Sequence, residues 1–380
     1  MSFRSVFPVV LSVWLVVGCG REPSRGPDTS PATAPSGMRV ASPMATSPAR
    51  PAHKARGGCV DTVLIRAFAD LTSCNFKGGV IDYQCAAWKR VHRLIGEREA
   101  ENKALVQLSL VQLLDDSDER VRLVAAKSLS GYALQRSVSQ RLIAAYGREK
   151  RAVVRAWIVH SLHSPRPEAT KLVLKALATD VDPVVRARAA QRLNVAHYSR
   201  NPAVTKALVK AIKTDKSVDV RKRAAESLGT IRHDKATENL LIDCLKDPKI
   251  GPHCAIGLGR MRSQRGYDAV LGILTEGLSK RVVHPLYVWT IMDFIGRPFF
   301  RAVAVRILLQ RIARSPKMPS GARHYAVKSL GRLGRTAANQ KAAVVQFLKG
   351  LTGDKKLGIS VVPTLKQLQR PAAGPGRRGR

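Results

Sequence analysis

The chain has 380 residues, 45 % hydrophobic and 5 % aromatic, with 65 Lys and Arg against 27 Asp and Glu for a formal net charge of +38. That length exceeds one ordinary domain, and so few rings suit a core built mainly from Ala, Val and Leu. The charge favours solubility and polyanionic partners and carries no information about fold.

Residues 1–19, MSFRSVFPVVLSVWLVVGC, read as a targeting signal. Arg4 supplies the positive start. The apolar core from Phe7 to Val17 is too short to span a bilayer comfortably. Leu15-Val16-Val17-Gly18-Cys19 resembles a bacterial lipobox. The resemblance implies cleavage before Cys19, lipidation of that cysteine and an address in the cell envelope. Gly20 stands where familiar enteric lipoproteins carry the Asp of inner-membrane retention, which tilts the expectation toward the outer membrane. Residues 20–57 hold seven prolines and no hydrophobic period. They read as a disordered linker that cannot bury enough apolar surface to order itself. As a coil such a linker spans about 34 Å.

Residues 58–97 read as an atypical N-terminal cap with Cys59, Cys74 and Cys85. An oxidising envelope favours a disulfide among them, and three cysteines leave the pairing open. A zinc site is the alternative, with no CxxC and only the scattered His53 and His92 nearby.

Residues 98–370 carry a repeat. Its clearest copy is Asp180 to Leu193, DVDPVVRARAAQRL. Asp182 suits an N-cap and Pro183 the first helical turn. Val185, Ala189, Ala190 and Leu193 then form one apolar stripe at helical spacing. The same stripe starts at 121, 154, 185, 220, 250, 283, 322 and 357, steps of 30 to 39 residues, with a weaker ninth copy at Tyr83. A recurrent period in this range marks a solenoid. First helices are expected at 103–114, 138–146, 169–178, 203–214, 237–246, 267–277, 299–313 and 338–351, with Gly131, Gly229, Gly259, Gly296 and Gly331 as helix C-caps. Residues 371–380 read as a basic disordered tail.

Arg follows the first stripe position at Arg122, Arg155, Arg186, Arg221 and Arg323, and Asp116, Asp180 and Asp215 sit five residues before it. The pattern resembles the HEAT repeat, in the short bacterial style related to phycobilin lyases. The resemblance implies an all-α solenoid of eight to nine helix pairs. It also implies an Arg–Asp ladder between neighbours, interrupted where Gly251, His284 and Gly358 replace the Arg.

No catalytic motif stands out. None of the nine histidines is followed by Glu, so the paired His-Glu metal site of deoxyhypusine hydroxylase, a HEAT-like enzyme, has no counterpart here. His160 and His163 are three apart and could share a metal, but surface histidines are the favoured reading, since His160 sits at the +6 position expected to be exposed. No phosphate loop or Gly-x-Ser-x-Gly elbow is present. Cys244 and Cys254 fall on partner helices of one repeat and could bridge; the alternative for Cys254 is a small core residue.

The reading that follows is a non-catalytic, lipid-anchored scaffold that binds a protein or an anionic envelope partner without a cofactor. Lys127, Arg188, Arg192, Lys222, Arg223, His324 and Lys328 are the expected exposed positions of the second helices, and Trp289 is either an exposed aromatic anchor or, the commoner case, a residue packed against the next repeat. Phe294 to Arg380 holds 19 Lys and Arg against the single acid Asp354. Arg323, Lys328, Arg332, Arg335, Lys355, Lys356 and the Arg377–Arg380 tail are therefore expected to meet a polyanion. The rival functions are a lyase- or hydroxylase-type enzyme and, if the N-terminus is not an export signal, a nucleic-acid binder.

Overall fold

The computed structural model describes residues 60–77, 80–195 and 201–370. Cys19, His53, Cys59, the 20–57 linker and the Arg377–Arg380 tail lie outside them.

The chain begins with α1 (Thr62–Ala69), capped by Asp61, whose carboxylate accepts the Leu64 N–H at 2.9 Å. A two-stranded antiparallel ribbon follows, β1 (Phe76–Lys77) and β2 (Val80–Ile81), pairing Phe76 with Ile81. Cys74 and Cys85 are bonded to each other across this ribbon, with Cα atoms 5.6 Å apart. Leu64, Phe68 and Leu71 are fully buried.

From here the chain is a row of helical pairs. The first helices are the latter part of α2 (Ala86–Gln112), then α4 (Arg136–Arg148), α6 (Pro167–Thr179), α8 (Pro202–Thr214), α10 (Lys235–Cys244), α12 (Gln264–Lys280), α14 (Ala302–Arg314) and α16 (Ala338–Lys349). The second helices are α3 (Glu119–Ser128), α5 (Ala152–Ser161), α7 (Pro183–Arg192), α9 (Val218–Ile231), α11 (Gly251–Met261), α13 (Pro285–Phe294), α15 (Ser320–Thr336) and α17 (Gly358–Gln369). Eight pairs stand among the described residues, and the fold is an all-α solenoid.

Each second helix packs on the next in an unbroken row from α3 to α17, whereas neighbouring first helices touch sparsely. A stack held closer along one side bends toward that side, so the second helices line the inner face. The stripe explains this packing. Val185, Ala189, Ala190 and Leu193 are fully buried, and so are their counterparts in the α3, α5 and α9 copies. Asp182 caps α7 by accepting the Val184 N–H at 2.8 Å, and Pro183 opens the helix.

The ninth copy is a helical segment of its own: Asn102, with non-helical φ −152° and ψ 86°, divides Ala86–Gln112, and its Oδ1 accepts the Leu105 N–H to cap the first helix that follows. Two expectations change. Val362, placed on the stripe, is 42 % exposed, and among the described residues no later helix covers α17. Gly229, Gly259 and Gly331 lie within α9, α11 and α15 rather than at C-caps. They are packing residues: a Cβ on Gly229 would stand 2.2 Å from Gly257 O, and one on Gly257 would stand 2.7 Å from Ala225 O. Two helix ends instead use Arg262 and Arg281 in left-handed geometry (φ 62° and 60°). Gly296, with φ +85°, follows α13 as a C-terminal stop.

Cys244 at the end of α10 and Cys254 in α11 are bonded to each other and buried, with Cα atoms 6.0 Å apart.

Candidate functional site

The ladder is present, and each Arg reaches forward to the next repeat. Arg122 meets Glu149 (2.7 Å), Arg155 meets Asp180 (3.0 Å), and Arg186 meets Asp215 (2.9 Å). Each Nη1 also donates to two carbonyls of its own turn, as Arg186 does to Asp180 O and Val181 O. A rung thus ties two successive turns together. Arg221 reaches Asp247 only at 3.9 Å. Gly251 and His284 then leave gaps, and Arg323 closes a last rung with Asp354. The acids Glu149, Asp247 and Asp354 escaped the sequence pattern; Glu149 stands in register, and the other two sit in turns of different length. Burial opposes the ionisation of Glu149, Asp180 and Asp215, but their Arg partners outweigh it and hold each carboxyl below its usual range.

Arg323 is consequently not a free surface cation. It is 5 % exposed, donates to Ala313 O at 2.9 Å and pairs with Asp354. Lys328, Arg332, Arg335, Lys355 and Lys356 are exposed. Arg335 donates to Gln367 Oε1 at 3.0 Å, and Lys328 lies over the Tyr325 ring at 5.8 Å.

The inner face is richest between α3 and α11. Trp157 on α5 lies between two cations from the helices on either side. Lys127 Nζ is 5.3 Å from its ring and Arg188 Cζ is 4.9 Å. Lys127 also stands 4.9 Å from the rings of both Tyr83 and Trp88 in the cap. A cation over a ring face is held by the ring quadrupole. Tyr83, Lys127, Trp157, Val184 and Arg188 line a cavity of about 150 Å³. Val184 and Arg188 also line a second cavity of about 450 Å³ that continues past Lys222 and Arg223 to His253. The two cavities form one trough across five second helices.

Among the described residues neither Lys127 nor Arg188 makes an ion pair with a carboxylate. Burial, then the charge of Arg223, lowers the Arg188 pKa. His160 on α5 is pushed down to about 4 by burial and by Arg188, Arg192, His163 and Lys127. Arg192 donates to His160 O at 3.0 Å. Lys222 pairs with the exposed Asp219 at 3.4 Å. At the far end Glu226 is buried and engages His253 (2.6 Å), Arg223 (3.3 Å) and Arg260 (3.8 Å). Burial opposes its charge, but those partners outweigh it and hold the carboxyl low.

The structure brings Arg188, Lys222 and Arg223 to one trough with Lys127. Trp289 is half-buried on α13 and lines neither cavity. Trp157, Tyr83 and Trp88 were not singled out as site residues, although the +3 position of Trp157 could have flagged it. Among the described residues no three His, Cys, Asp or Glu side chains gather as a metal site, and no helix is long and apolar enough to cross a membrane. His163 Nδ1 lies 3.0 Å from Ser161 O.

A sequence profile of HEAT repeats matches residues 170–249 and 205–284. No curated protein matches the sequence significantly. Among solved structures, E. coli YibA is similar at 19 % identity over 72 % of this chain and 96 % of that one, with a TM-score of 0.43. The phycocyanin lyase subunits CpcE and CpcF of Nostoc are similar at 18 % over 69 % and 94 %, TM-score 0.34. Human deoxyhypusine hydroxylase is similar at 16 % over 72 % and 99 %, TM-score 0.30. Residues 170–284 thus carry HEAT repeats, spanning α6 through α12 and the turn leading to α13.

Proposed function

We propose that this HEAT-repeat solenoid is a non-catalytic binding scaffold, tethered to the bacterial envelope through lipidated Cys19, that holds an acidic protein partner on its inner face. The observation that carries the reading is the trough from Lys127 to His253, where the half-buried Lys127 and Arg188, without a carboxylate partner among the described residues, are set among apolar and aromatic walls. Desolvated charge of one sign is costly until an opposite charge arrives. The chain cannot supply that charge from its undescribed ends: residues 20–57 carry six Lys and Arg against Glu22 and Asp28, and residues 371–380 hold only arginine among charged types. A second copy, itself at +38, is repelled.

The test is quantitative crosslinking in envelopes of cells that express the full chain. The partner captured by the native protein should be lost with Arg188→Glu/Arg223→Glu, and undiminished capture rejects the inner face. Cys19→Ser should abolish labelling by radioactive palmitate and release the protein from membranes; persistent labelling removes the anchor. The similarity to two enzymes makes a second check worthwhile. Stoichiometric metal, or a visible absorbance band in the purified protein, would favour a hydroxylase- or lyase-type activity over a scaffold.

A further inference from the structure

The trough has a spacing as well as a charge. Its features come from successive second helices in order: a cation on α3 (Lys127), a ring on α5 (Trp157), a cation on α7 (Arg188), a cation on α9 (Arg223). Packed helix axes lie about 9 Å apart, and an extended chain advances about 3.3 Å per residue. One repeat therefore corresponds to about three residues of extended peptide.

We infer that the trough reads an extended acidic peptide with the pattern acid-x-x-apolar-x-x-acid-x-x-acid, its apolar side chain seated against Trp157 and Val184 and its carboxylates meeting Lys127, Arg188 and Arg223. Val184 is 55 % exposed and lines both cavities, and Val80, 56 % exposed, lines the smaller one. Lys127 and Arg188 are already fixed over rings, so little side-chain freedom is lost when a carboxylate binds. A cavity of about 150 Å³ beside Trp157 has room for one side chain. The trough is open and elongated, which suits a strand of peptide better than a compact headgroup. This inference rests on the inner face being the partner surface.

Fluorescein-labelled decapeptides test it by anisotropy on the full-length protein in neutral detergent. Two probes carry the in-register order Glu-x-x-Phe-x-x-Glu-x-x-Glu and its reverse, with Ser and Gly at x, because either chain direction fits. A third has the same composition with its three Glu adjacent. One in-register peptide should bind at least tenfold tighter than the clustered one. Trp157→Ala should weaken it about tenfold while Trp157→Phe, which keeps a ring, restores most of the affinity. Equal binding of all three peptides, no binding, or indifference to Trp157→Ala overturns the proposal. Mixed micelles containing phosphatidylglycerol form a parallel arm, read by tryptophan fluorescence in a Trp289→Phe background. A response there without peptide binding makes the trough a lipid-headgroup site and rejects the peptide. If peptides fail while Arg188→Glu/Arg223→Glu still abolishes crosslinking in envelopes, only the spacing rule falls; if capture survives that variant, the inner-face reading falls with it.

Discussion

Two stretches of the solenoid hold the same fold by different means. From α3 to α9 neighbouring repeats are tied by Arg–carboxylate rungs, each about 3 Å long and largely buried. From α9 to α15 the rungs weaken at Arg221 and stop at Gly251 and His284. There the helices approach backbone to backbone at Gly229 and Gly257, and the rings of Tyr267, Phe294, Phe299 and Phe300 gather with centroids 5.4 to 6.4 Å apart. The Cys244–Cys254 bond falls at this changeover. The lesson is that a repeat fixes which helix faces meet, while the means of fastening them is free to change. Charge is the fastening where acids are available, and small residues and rings take over as they thin out.

The sharpest way to break the second stretch is Gly257→Val. Branched atoms would enter space held by Ala225 O and the Leu241 side chain, and overpacking of this kind costs about 3 kcal/mol. Urea unfolding followed by region-resolved hydrogen exchange should show the loss centred on α9 and α11. The first stretch is broken by Arg186→Ala, which strands the mostly buried Asp215 and should cost about 2 kcal/mol. Arg221→Ala, at the long rung to half-exposed Asp247, should cost under about 1 kcal/mol. Equal losses at Arg186 and Arg221 would mean that the rungs do not carry the difference. Ala189→Leu on the buried stripe should cost roughly 1–3 kcal/mol, and Ala187→Leu, which faces the trough, should cost less. The reverse order in thermal unfolding would refute the register.

Acid should separate the two stretches by sign. His160 has its pKa pushed from 6.5 to about 4, so its unfolded form binds a proton first and stability falls as pH drops from 6.5 toward 4. Glu149, Asp180 and Asp215 are held low; their contribution is present above the unfolded values of 4.5 and 3.8 and is lost as pH falls through the folded ones. Asp293 in α13 goes the other way. Burial raises its pKa against the charges of Arg332, Arg260 and Arg297, and its Oδ2 is buried without a hydrogen bond among the described residues. Its carboxyl favours folding most below 3.8 and loses that contribution as pH rises through the folded value. Hydrogen exchange at pH 7 and pH 4.5 should therefore show protection falling around α5 and holding around α13. His160→Gln should remove most of the α5 effect, and an unchanged pH response in that variant would reject this cause.

Much of this was legible in the residues. A stripe of four positions repeated eight times fixes the second helices because 3.6-residue periodicity leaves one face to bury, and the Arg beside its first position pointed to the rungs. The forward reach of each Arg was not legible in full, because Asp247 and Asp354 lie in turns whose length varies. Glycines misled for a physical reason: a position that needs no Cβ because another backbone lies against it looks in sequence like one that needs a positive φ. Arg323 looked like a surface cation because sequence shows its charge and hides the carbonyl and carboxylate that enclose it. The cage around Lys127 draws on Tyr83, Trp88 and Trp157, residues up to 44 positions away, and no local pattern joins them.

The double attachment of each rung has a mechanical consequence. Arg155 and Arg186 grip two carbonyls of one turn and the carboxylate of the next, so the edge of the stack where the turns lie is stitched and resists extension. The first helices on the outer side touch sparsely and can spread. A stack stiff along one edge and slack along the other behaves as a leaf spring, opening and closing about the stitched edge instead of stretching. Past Arg221 the stitching lapses, and α11 to α13 become the place where this spring can twist.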